Sequence, residues 1–178
     1  GVSGSIAAYK SPDLVSRLRK HELDVHVAVT SSGLEFVTQQ ALKVMSANEV
    51  ITPSLKTTPT GKPVHIEIAD NTDLMLIAPT TARMLGKLAT GDVDNPISEI
   101  YTALLPGTPV IIAPAMNGRM LEHPSVQRNI DQLRRDGVQF IEPAEGMLAC
   151  GYEGSGKLAR SIDIVTAVLN ALEARSHG

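Results

Sequence analysis

Short, mostly apolar runs rich in β-branched residues constrain the fold of this chain most strongly. They cover residues 25–29, 74–78, 110–113 and 138–141, and each is closed by a turn-forming or small polar residue. Continuous apolar runs of this length are typical of strands buried on both faces, as in parallel sheets. We therefore predict a parallel β-sheet that contains these four runs.

Between these runs, apolar residues recur every three or four positions, as on the buried face of a helix. The clearest sets are Val126, Ile130 and Leu133, and then Ile164, Val168 and Leu172. Strands that alternate with helices predict an α/β fold, a Rossmann-like or flavodoxin-like parallel sheet with helices on both faces. The length of 178 residues suits one domain over residues 1–178, with a mobile surface loop predicted at 52–63.

Composition argues against several classes of function. A net charge of −3, with no basic run interleaved with aromatic residues, predicts no nucleic-acid partner. No apolar run approaches the ~20 residues of a membrane-spanning helix, so no membrane partner is expected. The one cysteine, Cys150, excludes an intramolecular disulfide, and no signal-like segment opens the chain, so we expect the reducing cytoplasm. We predict no metal site.

Ligands of open α/β folds bind at the carboxyl ends of the strands, so the residues after each predicted strand are site candidates. These residues are Thr30, Ser31, Ser32, Ala78, Pro79, Thr80, Thr81, Ala113, Pro114, Ala115, Met116 and Asn117. Small and hydroxyl-bearing side chains dominate, which suits backbone approach to a planar, phosphorylated cofactor. Small residues also follow strands in α/β proteins that bind no such ligand.

The opening sequence GVSGSIAA supplies flexible backbone and hydroxyl groups immediately before a predicted helix, where free N–H groups favour a phosphate. It carries neither a G-x-G-x-x-G fingerprint nor a G-K-[S/T] motif, which weighs against dinucleotides and nucleoside triphosphates. A plain turn with a helix cap is the alternative. Because such a glycine loop normally follows a strand, a strand ahead of Gly1 is expected.

Several motifs follow one another along the chain: GSIAAYK at 4–10, HIEIA at 65–69, PAMN at 114–117, and LACG at 148–151 with GSGKL at 154–158. Taken together, they resemble the homo-oligomeric flavin-containing cysteine decarboxylases, and the likeness covers nearly the whole chain. Within that family, the phosphopantothenoylcysteine decarboxylases of coenzyme A biosynthesis are the nearest in motif. The resemblance implies an FMN cofactor and trimers, or multiples of trimers, with flavin sites at subunit contacts.

Site residues are carried over by motif. The FMN phosphate is expected near Gly4, Ser5 and Ile6, the ribityl side near Thr30, Ser31 and Ser32, and the ring near Thr81, Ala82, Arg83, Met84 and Ala115. The resemblance makes His65 the catalytic base and Cys150 the second catalytic residue, on a flap over the substrate. Asn117 would hold the substrate carboxylate, with Met120 and Ala149 as further substrate contacts.

The implied reaction explains these residue types. Flavin oxidises a cysteine side chain to a thioaldehyde, so that loss of CO2 gives an enethiolate in place of an unassisted carbanion. An imidazole such as His65 suits removal of the thiol proton, and the Asn117 amide orients a carboxylate without a full positive charge. Cys150 is the candidate proton donor for reduction of the enethiol.

Structural alternatives stay open for the same residues: His65 as a hydrogen-bonded surface histidine, Asn117 as a helix cap, and Cys150 as a small buried hydrophobe. His123, beside Pro124, is predicted to be structural.

The chain also departs from the family pattern. It has no tryptophan where the histidine motif usually continues into Arg-Trp-Ala-Asp, it has Arg83 in place of the asparagine of an Ala-Asn pair, and Tyr152 follows the flap glycine. These changes keep open a peptidyl-cysteine decarboxylase, which acts on the C-terminal cysteine of a precursor peptide and gives an aminoenethiol. A third alternative is a flavin-binding phosphatase-regulatory subunit, which the presence of His65 and Cys150 disfavours.

Overall fold

The computed structural model describes residues 1–55, 57, 61–147 and 153–176. A 3-10 helix covers Ile6–Lys10. The α-helices of the described residues are α1 (Ser11–Arg19), α2 (Gln39–Ser46), α3 (Val64–Asp70), α4 (Ala82–Thr90), α5 (Pro96–Ala103), α6 (Gly118–Leu121), α7 (Pro124–Arg135) and α8 (Ser161–Ser176). The strands are β1 (Met75–Thr80), β2 (Val110–Pro114), β3 (Gln139–Phe140), β4 (Ala144–Met147) and β5 (Glu153–Lys157).

A parallel sheet in the order β1-β2-β3 forms from three of the predicted runs. Ile77 lies opposite Ile112, and Ile112 in turn lies opposite Phe140. The predicted positions of these three runs and their parallel direction are therefore confirmed. β1 extends to Thr80, however, and β3 contains only two residues. The predicted α/β class is correct.

The run at 25–29 extends the sheet without forming a regular strand. Val29 bridges Val2 on one side, and Ala28 bridges Ile51 on the other, both in parallel. The prediction of a full strand at 25–29 was wrong in this respect, because each partner segment contributes only a few backbone hydrogen bonds.

Residues 1–3 connect this extension to β1. The Val2 N–H donates to the Ala28 carbonyl at 2.8 Å, and the Ala78 N–H donates to the Gly1 carbonyl at 2.9 Å. The Ser3 N–H donates to the Pro79 carbonyl at 3.2 Å. The opening segment therefore lies between the two halves of the sheet and directs residue 4 toward the carboxyl end of β1.

Helices cover both faces of the sheet, as predicted. Ile77 and Ile112 belong to a buried cluster with apolar residues of α3, α4, α5 and α7. Ala78 and Ile111 point into a second cluster with α1 and α8, beside which Leu42 of α2 packs in a third. The apolar spacing at 126, 130 and 133 and at 164, 168 and 172 correctly located α7 and α8.

Outside the parallel sheet, β4 and β5 form an antiparallel hairpin. The chain between them, residues 148–152, lies outside the described residues. In the predicted loop at 52–63, the described residues contain no helix or strand beyond an isolated bridge from Thr57 to Pro63, and its mobility stays a prediction. Among the described helices, none combines the length and apolar character needed to cross a membrane.

Replacing Leu133 tests the packing between α7 and the sheet. Leu133 is completely buried, so Leu133→Ala should lower the free energy of unfolding by about 2–5 kcal/mol through lost burial and a residual cavity. Leu105→Ala is the matched control, because Leu105 is 49 % exposed. Denaturant unfolding of both variants measures the difference, and equal losses would contradict the assigned core.

Candidate cofactor and substrate site

A cavity of about 620 Å³ opens at the carboxyl ends of β1 and β2, where the fold predicts a ligand. Its volume lies within the range of small-molecule and cofactor sites. Its walls come from the segment after residue 3, the start of α4, the exit from β2, and the end of β5. The lining residues are Gly4, Ser5, Ile6, Ala7, Tyr9, Lys10, Ser32, Thr81, Ala82, Arg83, Ala115, Met116, Asn117, Met120, Gly156, Lys157 and Leu158.

The buried hydroxyl of Ser3 fixes the first two walls relative to each other. Its Oγ donates to the Pro79 carbonyl at 2.8 Å and accepts from the Thr81 N–H at 3.0 Å. The Ser5 side chain caps the 3-10 helix by accepting from the Ala7 N–H at 3.3 Å. The helix cap that the sequence offered as the alternative for this segment is therefore present, and the segment that contains Gly4 and Ser5 also lines the cavity.

Gly4 allows a backbone approach that no other residue would permit. A Cβ atom at this position would lie 2.3 Å from Oγ of Ser32 and 2.5 Å from its Cβ. Oγ of Ser32 lies 3.2 Å from Oγ1 of Thr30, and that Thr30 hydroxyl also accepts from the Gly33 N–H at 3.0 Å. Ser32 thus lines the cavity, whereas Thr30 supports the turn from behind and Ser31 is exposed.

The start of α4 forms the next wall. Thr81 caps the helix by accepting from the Met84 N–H at 3.2 Å, which places Ala82 and Arg83 in the first turn, at the cavity. Met84 is 3 % exposed and packs in the core below, so its side chain does not line the cavity.

The exit from β2 and the end of β5 support each other. The Met116 N–H donates to the Gly156 carbonyl at 2.9 Å. Gly156 has φ +114, and a Cβ there would lie 2.2 Å from the Met116 carbonyl oxygen. Oδ1 of Asn117 accepts from the Arg119 N–H at 2.9 Å and caps α6, so the cap alternative for Asn117 holds alongside its place in the cavity.

His65 lies elsewhere. It is on α3, its side chain is 35 % exposed, and its Nδ1 lies 3.9 Å from Oε2 of Glu99 on α5. It is not among the residues that line the cavity of the same chain. Cys150 and Ala149 fall outside the described residues. His123 caps α7, consistent with a structural role.

The sequence did not single out Tyr9, Lys10, Gly156, Lys157 or Leu158 as lining residues. All five lie within or beside the quoted motifs, so the motif boundaries were the available signal. A second cavity of about 600 Å³ lies at the amino ends of the strands, and of the site candidates named from the sequence only Ala78 is among its described lining residues. Within the described ranges, no group of three His, Cys, Asp or Glu residues could hold a metal ion.

Comparison with known sequences places the chain among flavoproteins. The profile of the Flavoprotein family matches residues 1–173. The coenzyme A biosynthesis bifunctional protein CoaBC of Bacillus subtilis is 46% identical over 165 residues, which are 92% of this chain and 40% of that protein. The probable phosphopantothenoylcysteine decarboxylase of Streptococcus mutans is 41% identical over 158 residues, 89% of this chain and 88% of that protein. The chain thus spans less than half of the bifunctional relative.

Solved structures agree with the sequence comparison. A PPC decarboxylase mutant in complex with pantothenoylaminoethenethiol superposes with a TM-score of 0.85 at 31% identity, covering 96% of this chain and 94% of the other. The FMN binding protein AtHal3 gives 0.81 at 32% identity, covering 97% and 94%. The FMN-dependent cysteine decarboxylase SpaF gives 0.82 at 29% identity, covering 96% and 94%. On the sequence match and the shared fold, this chain belongs to the Flavoprotein family.

Proposed function

We propose that this chain is an FMN-dependent decarboxylase that acts on the cysteine carboxylate of phosphopantothenoylcysteine. The observation that carries the proposal is that one cavity brings together residues from separate motifs and from the segments that follow different strands. Gly4, Ser32, Arg83 and Asn117 are far apart in sequence and line the same space. The names of the Streptococcus mutans relative and of the PPC decarboxylase structure support the same substrate class.

The cavity suits FMN. The Gly4 backbone leaves room that a Cβ would fill, and the Ser5 and Ser32 hydroxyls offer hydrogen bonds to a phosphate and a ribityl chain. Ala82 and Ala115 line the cavity with small side chains, which suits the close approach of a ring. A bound flavin supplies a reversible two-electron acceptor for the cysteine side chain, which makes loss of CO2 possible.

The chain's own residues then bind the substrate and move protons. Asn117 orients the substrate carboxylate, with Met120 beside it in the cavity wall. His65 accepts the proton of the substrate thiol as the side chain is oxidised, and the bond to the carboxylate breaks to release CO2 and an enethiolate. Cys150 and Ala149 lie outside the described residues; in this proposal Ala149 contacts the substrate, and the Cys150 thiol would supply the proton when the two electrons held by a reduced flavin return to the enethiol and give the saturated thiol.

His65 can perform this role only if a second copy of the chain supplies it, because it does not line the cavity of its own chain. The exposed side of α3, where Ile66 is 39 % exposed, is suited to a subunit contact. We therefore infer a homo-oligomer, a trimer or a multiple of trimers, in which α3 of one subunit faces the cavity of its neighbour. One flavoprotein domain over residues 1–178 and a reducing cytoplasm complete the proposal.

Product analysis tests the proposed reaction. Purified protein is offered phosphopantothenoylcysteine and, separately, a peptide that ends in cysteine, and the products are weighed by mass spectrometry. We expect CO2 loss from the first substrate and a product with a saturated thiol. Conversion of the peptide alone would indicate a peptidyl-cysteine decarboxylase. Flavin binding with no CO2 from either substrate would favour a regulatory protein.

Subunit mixing tests the shared site. His65→Asn should abolish substrate oxidation while flavin stays bound, because the thiol loses its base. Asn117→Asp keeps the helix-capping oxygen but repels the substrate carboxylate, so it should also be inactive. If each site takes His65 from one subunit and Asn117 from its neighbour, co-expression of the two variants should restore about a quarter of the sites. Random assembly gives that fraction of sites both an intact His65 and an intact Asn117. Mixed oligomers that stay inactive, with mixing verified by native mass spectrometry, would contradict the shared site.

Gly156→Ala tests the contact between β5 and the Asn117 loop. The new Cβ would collide with the Met116 carbonyl, so we expect a marked loss of CO2 release together with a lower free energy of unfolding. Gly137→Ala is the matched control, since Gly137 also has a positive φ of +90 but open space around its Cβ. The control should cost about 1 kcal/mol in backbone strain and leave turnover intact. Equal turnover in the two variants would show that this contact does not shape the site.

A further inference from the structure

Positive charge is concentrated in the cavity. Lys10, Arg83 and Lys157 line it, and no aspartate or glutamate stands among the lining residues that the structure describes. The whole chain carries a net charge of −3, so the cavity has the opposite sign of charge from the chain as a whole. A cavity with uncompensated cations favours anionic ligands.

Elsewhere, the chain neutralises many of its cations. Lys87 contacts Asp92 and Asp94 at 2.7 Å each, and these hydrogen bonds hold the pKa of Lys87 above its ordinary value. Arg160 contacts Asp163 at 2.7 Å. Among the described residues, 1–55, 57, 61–147 and 153–176, none of the three cavity cations forms an ion pair. The Nζ atom of Lys10 lies 5.7 Å from the ring centre of Tyr9.

The three cations stand on different walls. Lys10 ends the 3-10 helix that begins just after the Gly4 loop, on the side assigned to the cofactor phosphate. Arg83 occupies the first turn of α4. Lys157 follows Gly156, whose carbonyl accepts from the Met116 N–H, so its backbone is fixed beside the Asn117 loop. Arg83 and Lys157 are therefore available to a second anion.

We propose that Arg83 and Lys157 form an anion subsite that selects a substrate with a phosphate group at the end remote from its cysteine carboxylate. The inference rests on the proposed function and specifies its substrate class. The neutral Asn117 amide suffices for the carboxylate, whereas a phosphate dianion matches a guanidinium fork and an ammonium group. A peptide with a C-terminal cysteine lacks that dianion, so the subsite discriminates against it.

The experiment compares KM for phosphopantothenoylcysteine and pantothenoylcysteine, two substrates that differ only in the phosphate, by CO2 release at low salt. We expect the wild-type protein to favour the phosphorylated substrate by about tenfold in KM, as for a charge-assisted contact. The double variant Arg83→Gln/Lys157→Gln should lose this preference. Arg128→Gln is the control, because Arg128 is exposed on α7 and does not line the cavity.

Salt provides a second measurement. The preference for the phosphorylated substrate should shrink as ionic strength rises, because both cations are exposed and therefore screened. Equal wild-type KM values for the two substrates would overturn the subsite while CO2 release still supported the decarboxylase. A double variant that keeps the preference when assayed with excess FMN would also overturn it, and weaker FMN binding by that variant would assign the cations to the cofactor. Absence of CO2 from both substrates would instead refute the proposed function.

Discussion

Hydrogen bonding of residues 1–3 on both sides determines where the site forms. Val2 pairs with the segment at 28–30, while Gly1 and Ser3 pair with β1, so one short extended segment connects the two halves of the sheet. The Ser3 hydroxyl then ties the end of β1 to the start of α4. Because the chain leaves this position at Gly4, the glycine loop, the Ser32 turn and the α4 cap meet at one edge.

Close backbone approach, rather than charge, shapes the remaining walls. Gly4 lies against Ser32 and Gly156 lies against Met116, and at both positions a single added carbon would collide with its neighbour. This packing borders the cavity that Ala115 and Asn117 also line. His65, on α3, does not line this cavity, so the proposed chemistry would need His65 from a second subunit.

Periodicity and motif order predicted much of this arrangement. The buried strand β2 and the helices α7 and α8 were located correctly, because burial gives each of them an apolar pattern that is visible within its own short segment of sequence. The run at 25–29 was harder, since its pairing depends on residues 1–3 and on Ile51, which no local pattern specifies. In the site, the motifs identified Gly4 and Asn117, but they could not show that Lys157 joins them, because that follows from the docking of β5.

The central claim is that the cavity at the carboxyl ends of β1 and β2 holds FMN. A crystal structure of the protein purified with its own chromophore tests it most directly. We predict flavin density between the Gly4 loop, Ser32 and Ala115, with the phosphate at the start of the 3-10 helix. Flavin density in the cavity at the amino ends of the strands, or a protein that binds no flavin after reconstitution, would contradict the account.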